Sequence, residues 1–554
     1  MSFWELFFRL LPYRPAKGLA ALYWHLTRRR LRASIRLRNA SADLPFAYAW
    51  WIRNHEQSDQ LANALDTWLD LFEWRPRFAI LVHEMDESEP QRLERSIAAI
   101  EDQVYPDWIL LRPSGDYFEF DPEAVNADYV LPVRAGDALS RTALFRLAEA
   151  LQSDPDATIL YGDQDELDHR GKRTRPWFKP KWNEEMFLAQ DYISAATAIE
   201  LRLAHRAAKG AKSVEELLLA ATSQTKGPIV HIPYVLCHVT PGKQRERLAA
   251  VDRHVTERGG RSSIGPFGTI KVEWPLPAKL PLVSVIVPTR DKFELLRPCV
   301  ESVLARTEYS NFEILIIDNG SVEKRTCQYL ASIAGSPRVR VITDERPYNF
   351  SALNNLAVRE ALGTYVCLLN NDTEIVTREW LTELMRYAVR PDVGAVGAKL
   401  LYEDGSIQHA GVVIGIGEAA GHAHRFIPGD QPGYFHQPHI AQYVSAVTGA
   451  CLVVDKAKFE AVGGLDEAAL AVAFNDVDLC LKLEAAGWRN VYVPHAVLLH
   501  HESRSRGKDN SRKNVERYRR ELTVLQERWG TKEYDDPLHN PNLDRHSESF
   551  VIRL

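Results

Sequence analysis

The chain has 554 residues, 45% hydrophobic and 26% charged, with a formal net charge of −6. That length holds two or three domains, the composition is that of a globular chain, and the acidic balance gives no basis for nucleic acid as a partner. The six cysteines are scattered with no CxxC pair, which predicts buried free thiols in a reducing compartment. No run of 18 apolar residues exists and Arg9 and Arg14 interrupt the apolar start. Neither a transmembrane helix nor a signal peptide is therefore expected, and the predicted location is cytoplasmic.

Residues 1–40 carry nine Lys or Arg against Glu5 alone, interleaved with Trp4, Phe7, Phe8, Leu22, Tyr23 and Trp24. Basic residues beside aromatics suit a helix lying on an anionic membrane, here the inner face of an inner membrane. A terminal helix docked on the protein with a solvated basic face would read the same way. Helical spacing continues over 45–75, so 1–77 is a predicted helical arm. Over 78–250, apolar runs such as FAILVH, WILL and TILYG alternate with helical spacings, which predicts a mostly parallel α/β sheet. Residues 251–280 are rich in Gly and Pro and read as a linker.

A second α/β order fills 281–507. VSVIVPTR is a strand ending in Pro288, Thr289 and Arg290, and FEILIID is a strand ending at Asp318. The polar loop with Asn349, Ser351 and Asn354 opens a helix, where backbone amides favour phosphate. The stretch GTYVCLLNNDT is central: a buried strand running into Asn370, Asn371 and Asp372. Strand ends of open α/β sheets bind ligands, and oxygen donors there suit Mg²⁺ or Mn²⁺ with a substrate diphosphate. FNDVDLCLKLEAAG starts a helix with Asp476, read as a general base, and Asp478, read as structural. VLLHHES places His500 after a strand, where a neutral imidazole could complete the metal site. Arg504 and Arg506 could hold the diphosphate. The Gly- and His-rich segment 405–435 reads as a mobile lid or acceptor loop. Thr448 and Gly449 are expected on the acceptor side, and after a helix ending at Gly530 the tail 531–554 reads as a loosely packed extension of 508–554.

The two halves look alike. RPRFAILVH matches PLVSVIVPT in kind, ADYVLPVRAGDAL lies where VCLLNNDTEI lies, and VHIPYVLCHVTP resembles VYVPHAVLLHHES. This predicts an internal duplication.

Together VSVIVPTR, IIDNGS, YNFSALNNLAV, LLNNDTEI, GGLDE, FNDVDLCLKLEAAGW and VPHAVLLHHES resemble the family 2 glycosyltransferases with a GT-A fold, nearest to bacterial O-antigen and rhamnosyltransferase-like enzymes. The resemblance covers about 282–505. It implies two GT-A-like domains in tandem and an inverting transferase using a nucleotide-diphosphate sugar, a glycan or lipid-linked acceptor and a divalent metal. By motif, Asp318 would bind the nucleotide, Asp372, Asn370 and His500 the metal, and Asp476 would be the base. Asn370 stands where the family has the first Asp of its Asp-x-Asp motif, and Asn475 where it has a Glu. In the first half that position reads Arg134-Ala135-Gly136-Asp137 and Val214 falls in the place of Asp476. Arg134 would repel a cation, so an inactive copy is expected, one that holds acceptor or stabilises the other half. The competing reading is a non-catalytic glycan-binding scaffold of two degenerate copies. A sugar-nucleotide pyrophosphorylase ranks last, since no Gly-rich basic loop follows the first strand.

Overall fold

The computed structural model describes residues 1–56, 58–83, 90–111, 125–240, 247–501 and 512–554. The first half builds strands β1 (Phe78–His83), β2 (Trp108–Leu111), β3 (Tyr129–Arg134), β4 (Ala138–Leu139), β5 (Ile159–Leu167), β6 (Arg173–Trp177), β7 (Thr197–Glu200) and β8 (Ile229–Val239). A hairpin follows, β9 (Arg261–Ile264) and β10 (Ile270–Glu273). The second half builds β11 (Val283–Thr289), β12 (Phe312–Asp318), β13 (Val339–Thr343), β14 (Tyr365–Leu369), β15 (Thr373–Ile375) and β16 (Val393–Leu401). After these come β17 (Ile407–His409), β18 (Val412–Ile414), β19 (Ala420–His422), β20 (Gln442–Val444), β21 (Cys451–Asp455) and β22 (Arg489–His500).

The strand orders establish the duplication. The first sheet runs β2-β1-β3-β7-β5-β8-β4, with β6 on β5. The second runs β13-β12-β11-β14-β21-β16-β22-β15, with β17 on β16 and β20 on β22. Position by position, β1, β3, β7, β5, β8 and β4 correspond to β11, β14, β21, β16, β22 and β15. Directions match as well: β7 and β21 run antiparallel to both neighbours, while β5–β8 and β16–β22 are parallel. The sheets are thus mixed rather than mostly parallel. In the second copy β20 and β21 both run opposite to β16 and β22, so the chain is already reversed when it enters β21.

Three expected loose segments are ordered. Residues 251–280 are not a plain linker: helix Leu248–Thr256 and the β9–β10 hairpin put Val251, Val255, Ile270, Val272 and Trp274 in the main apolar core. The segment 405–435 is no mobile lid, because the tail clamps it. Ile414 N–H donates to Asp536 Oδ2 at 2.6 Å, His424 N–H to Glu548 O at 2.8 Å, and the His424 ring stacks on Phe550 at 4.4 Å. The tail itself buries Leu538, Leu543, Phe550 and Ile552. It also reaches the first copy: Asn540 Nδ2 donates to both oxygens of Asp163 at 3.0 Å and to Lys179 O at 2.9 Å.

The basic arm docks. Leu6, Phe7, Leu10, Leu37 and Trp51 are buried, and Tyr48 donates its hydroxyl proton to Asp165. Its outer face exposes Phe8, Tyr23, Leu26 and Leu31, and Arg29, Arg32 and Arg36 sit over the Trp24 ring. No described helix is long and apolar enough to cross a membrane. Five cysteines are buried free thiols, and Cys327 is exposed.

The clamp buries titratable groups. Burial pushes His424 down to about 3, His539 to about 4 and His409 well below the ordinary histidine range. Below the ordinary histidine value of about 6.5 the unfolded chain takes up protons that the folded chain refuses, so stability falls with pH. Asp536, raised to about 6 by burial, acts oppositely and regains part of the loss as pH falls below 6. Three against one predicts a net loss on the order of a few kcal/mol between pH 7 and 5, read as a lower urea midpoint at pH 5.

Candidate active site

Strand register brings the predicted residues to one end of the second sheet. Thr289 lies opposite Asp318, and Thr373 opposite His500. Asp372, the residue before β15, is 3% exposed, with Oδ1 3.2 Å from His500 Nε2. The Asn370 side-chain amide lies 3.4 Å from the same nitrogen. His500 Nδ1 is buried and has no hydrogen-bond partner among the described residues. Asn371 turns inward instead, donating Nδ2–H to Thr289 Oγ1 at 2.9 Å, and so positions the strand end.

A short loop joins this strand end to the predicted base. Asn370 N–H donates to Ala450 O at 3.0 Å, and Gly449 N–H donates to Asp476 Oδ2 at 2.9 Å. Asp476 Oδ1 accepts from its own helix at Val477 N–H, 2.9 Å. A Cβ on Gly449 would stand 3.5 Å from Asp476 Cβ, an ordinary contact, so the hydrogen bond rather than the missing side chain joins loop and base. Gly449 had been placed on the acceptor side; its contact with Asp476 was not legible in the chain.

Asp476 and Asp478 begin helix Asn475–Ala485, and two residues of α-helix turn their side chains roughly 200° apart. Asp478 is fully buried and pairs with Arg528 at 2.8 Å, Lys482 at 3.1 Å and Trp529 Nε1 at 2.9 Å. It anchors the C-terminal helix Arg512–Trp529, in line with the structural role read from its spacing.

On the neighbouring strands, Asp318 Oδ1 accepts from Ser321 N–H at 3.0 Å and from its hydroxyl at 2.5 Å. Asn319 N–H donates to Thr289 O at 2.8 Å, locking the two strand ends together. Pro288 is half-buried in β11 and Arg290 is exposed just beyond it. The loop residues behave differently from expectation. Asn349 caps helix Phe350–Glu360, accepting from Ala352 N–H at 2.9 Å and donating to Glu467 O at 2.8 Å. Ser351 is fully buried, donating to Leu470 O at 2.6 Å and accepting from Asn475 Nδ2 at 3.1 Å. Asn354 is fully buried and donates to Phe350 O at 2.8 Å. Ser351 and Asn355, which exchanges hydrogen bonds with the Leu465 backbone at 2.8 and 3.0 Å, hold the helix to segment 465–475, while Asn354 turns inward and bonds within its own helix. Arg504 and Arg506 lie outside the described residues.

Two arrangements went unread in the sequence. His501 sits between Glu403 and Glu374, at 2.6 and 3.0 Å, and Nδ1 of His409 lies 2.9 Å from Nδ1 of His422. Among the described residues, no three His, Cys, Asp or Glu side chains form a metal-holding set. Any cation would rest on Asp372 and His500 with the Asn370 amide. A separation of 3.2 Å matches neighbouring ligands of an octahedral ion with bonds of about 2.1 Å, and Mg²⁺ commonly takes only one or two carboxylates, completing its shell with water and phosphate oxygens. The donor set fits such an ion.

Residues 284–442 match the family model described as Glycosyl transferase family 2. The likeness to the family 2 glycosyltransferases lies in the second copy, from β11 to the start of β20. Over 454 residues it is 42% identical to the protein y4gI of Sinorhizobium fredii, covering 78% of this chain and 50% of that one. Over 410 residues it is 35% identical to the O-antigen biosynthesis protein RfbC of Myxococcus xanthus, covering 70% and 32%. The chain thus spans half or less of the length of these curated relatives. A mannosyltransferase from Pyrobaculum calidifontis, solved with GDP-Man and Mn²⁺, superposes with a TM-score of 0.35 at 17% identity, over 48% of this chain and 69% of that one.

Within the second copy the two helix acids should separate cleanly. Asp478→Ala strands a buried ion-pair network and should cost about 3–5 kcal/mol. Asp476→Ala gives up two exchangeable hydrogen bonds and should cost about 1 kcal/mol. Urea unfolding of both variants measures the difference.

Proposed function

We propose that this chain transfers a sugar from a nucleotide-diphosphate donor to a glycan or lipid-linked acceptor, with inversion at the transferred carbon, in the assembly of a bacterial surface polysaccharide. The observation that carries this reading is the bridge through Gly449 and Ala450, which ties the base Asp476 to the strand end that bears Asn370 and Asp372. The family match and the O-antigen relative support the chemistry and the setting.

In this reading Thr289 and Asp318 receive the nucleoside, with Arg290 at the rim. Asp476 accepts the proton of the acceptor hydroxyl as its oxygen bonds to the anomeric carbon. The bond from that carbon to the diphosphate breaks, and the diphosphate leaves with the electron pair. One displacement from the opposite face inverts the carbon. A divalent ion held by Asp372 and His500, with Asn370 beside them, would neutralise charge on the leaving diphosphate. No second carboxylate is required as acid, and Asp478 is already committed to Arg528 and Lys482. Gly449 N–H fixes one oxygen of Asp476 and so aims the carboxylate.

The arm suits peripheral contact with an anionic membrane surface, where a lipid-linked acceptor would sit. Phe8, Tyr23, Leu26 and Leu31 are exposed beside the arginines around Trp24. Co-sedimentation with phosphatidylglycerol vesicles, weakened by salt and by Tyr23→Ser with Leu26→Ser, is the expected result. Equal binding to neutral vesicles would remove this part of the reading.

Donor binding tests the whole. A nucleotide-diphosphate sugar at 100 times its dissociation constant should add about 2.7 kcal/mol to the stability of the fold. The gain should need Mn²⁺ and vanish in Asp372→Asn. Asp476→Asn should keep donor binding and lose transfer by about 10²–10⁴-fold. Full transfer in both variants would refute the assignment; no stabilisation by any donor in the presence of Mn²⁺ would favour the scaffold reading.

A further inference from the structure

A roomy cleft lies in the first copy. It encloses about 970 Å³ and is lined by the end of β3, by β5 and by the segment 189–196. Sheet correspondence puts it where the second copy has its candidate site. Ala138 pairs with His238 just as Thr373 pairs with His500, so Asp137 stands in the place of Asp372, and Arg134 closes β3 where Asn370 directly follows the end of β14. The chemistry is reversed there. Arg134 Nη2 is 2.7 Å from Asp137 Oδ1 and donates to Thr240 O at 2.6 Å. The carboxylate that would meet a metal already holds a fixed guanidinium. Val214, in the place of the base, also lines this cleft.

The cleft nevertheless presents unmet polar groups. Arg247 is 9% exposed, stacks on Phe187 at 4.5 Å and donates one Nη1–H to Leu188 O at 3.1 Å. Its Nε and Nη2 have no hydrogen-bond partner among the described residues. The same holds for Trp177 Nε1, whose ring is 8% exposed and lies parallel to Phe435 at 4.2 Å, and for Ser194 Oγ. Leaving buried donors unpaired is costly, and native proteins rarely do it without a ligand or water. The free edge of a guanidinium matches a carboxylate or phosphate bidentately. An indole edge and a hydroxyl suit sugar hydroxyls. The volume suits a small-ligand site of one to three sugar units.

We propose that the first copy is a metal-independent binding site for an anionic sugar, with Arg247 on the carboxylate or phosphate and Trp177 and Ser194 on hydroxyls. The choice of a sugar rests on the transferase reading; the anion and the independence from metal rest on Arg247 and Arg134. The duplication has then kept the place of the site and exchanged a recruited cation for built-in ones.

Titration calorimetry on the full chain in EDTA, with glucuronate, glucose 1-phosphate and glucose, tests this. At least one of the two acids should bind at least about tenfold tighter than glucose, and which one does so tells carboxylate from phosphate. Binding should be unchanged in Asp372→Asn, about tenfold weaker in Arg247→Met and measurably weaker in Ser194→Ala. If Arg247→Met lowers the thermal midpoint, Ser194→Ala, which removes only an unpaired hydroxyl, decides alone. No saturable binding of either acid in the millimolar range overturns the proposal. So does equal binding of glucose, or loss of binding in EDTA or in Asp372→Asn, which would move the site to the second copy. Metal-dependent donor binding is a separate reading, so either idea can fail without the other.

Discussion

The short antiparallel pairing of β15 with β22 is the constraint on which the candidate site depends. It sets Thr373 opposite His500 and so brings the Asp372 carboxylate to the imidazole. A one-residue slip would turn His500 to the other face of the sheet. Asp372 is nearly fully buried, and a buried charge is tolerated only beside a partner. The same pairing fixes where β14 ends, and that end holds the 449–450 bridge to Asp476. One register therefore sets the spacing of cation donors and base, while β11 and β12, locked through Thr289 and Asn319, set the nucleoside side.

Around that register, burial of polar groups rather than apolar area joins the parts. Asp163 in the first copy is fully buried and accepts from Lys179 N–H at 2.8 Å, from the His231 ring at 2.8 Å and from Asn540 of the tail. Asp165 gathers Tyr48 of the arm, Arg173 and His238. Asp478 draws the C-terminal helix onto the base helix. Each carboxylate is costly to bury alone and cheap once its partners are in place. Arm, first copy, second copy and tail therefore assemble in one arrangement, with each buried acid satisfied by a segment distant in sequence.

What could be read in the chain follows from this. Strands with β-branched, apolar runs were legible nearly to the residue: VRVIT is β13, and the strand in GTYVCLLNNDT ends at Leu369 as its switch to polar residues implies. The duplication was legible because both copies keep the same apolar punctuation. Helix geometry separated Asp476 from Asp478. The ordered state of 405–435 was not legible, since glycines that look like mobility serve local geometry; Gly411 has φ +95. Nor was the tail: its few apolar residues have no period, and it is held by contacts with segments more than a hundred residues away. Ser351 and Asn354 misled because a polar loop before a helix resembles a phosphate site, while the helix phase that buries them depends on packing against 465–475.

The two copies show what a shared backbone leaves free. Both place a carboxylate before the short edge strand and a histidine opposite it, yet the neighbours decide the electrostatics. In the second copy Asn370 is neutral and the Asp372 carboxylate faces the His500 ring at 3.2 Å. In the first, Arg134 satisfies Asp137 from within, His238 turns its Nδ1 to Asp165 at 2.7 Å, and no donor pair is left to recruit a metal. Arg134 at the end of β3 gives the first copy a built-in cation beside its carboxylate, where the second copy has the neutral Asn370. Fold alone therefore does not assign the chemistry; the occupant of that single strand end does.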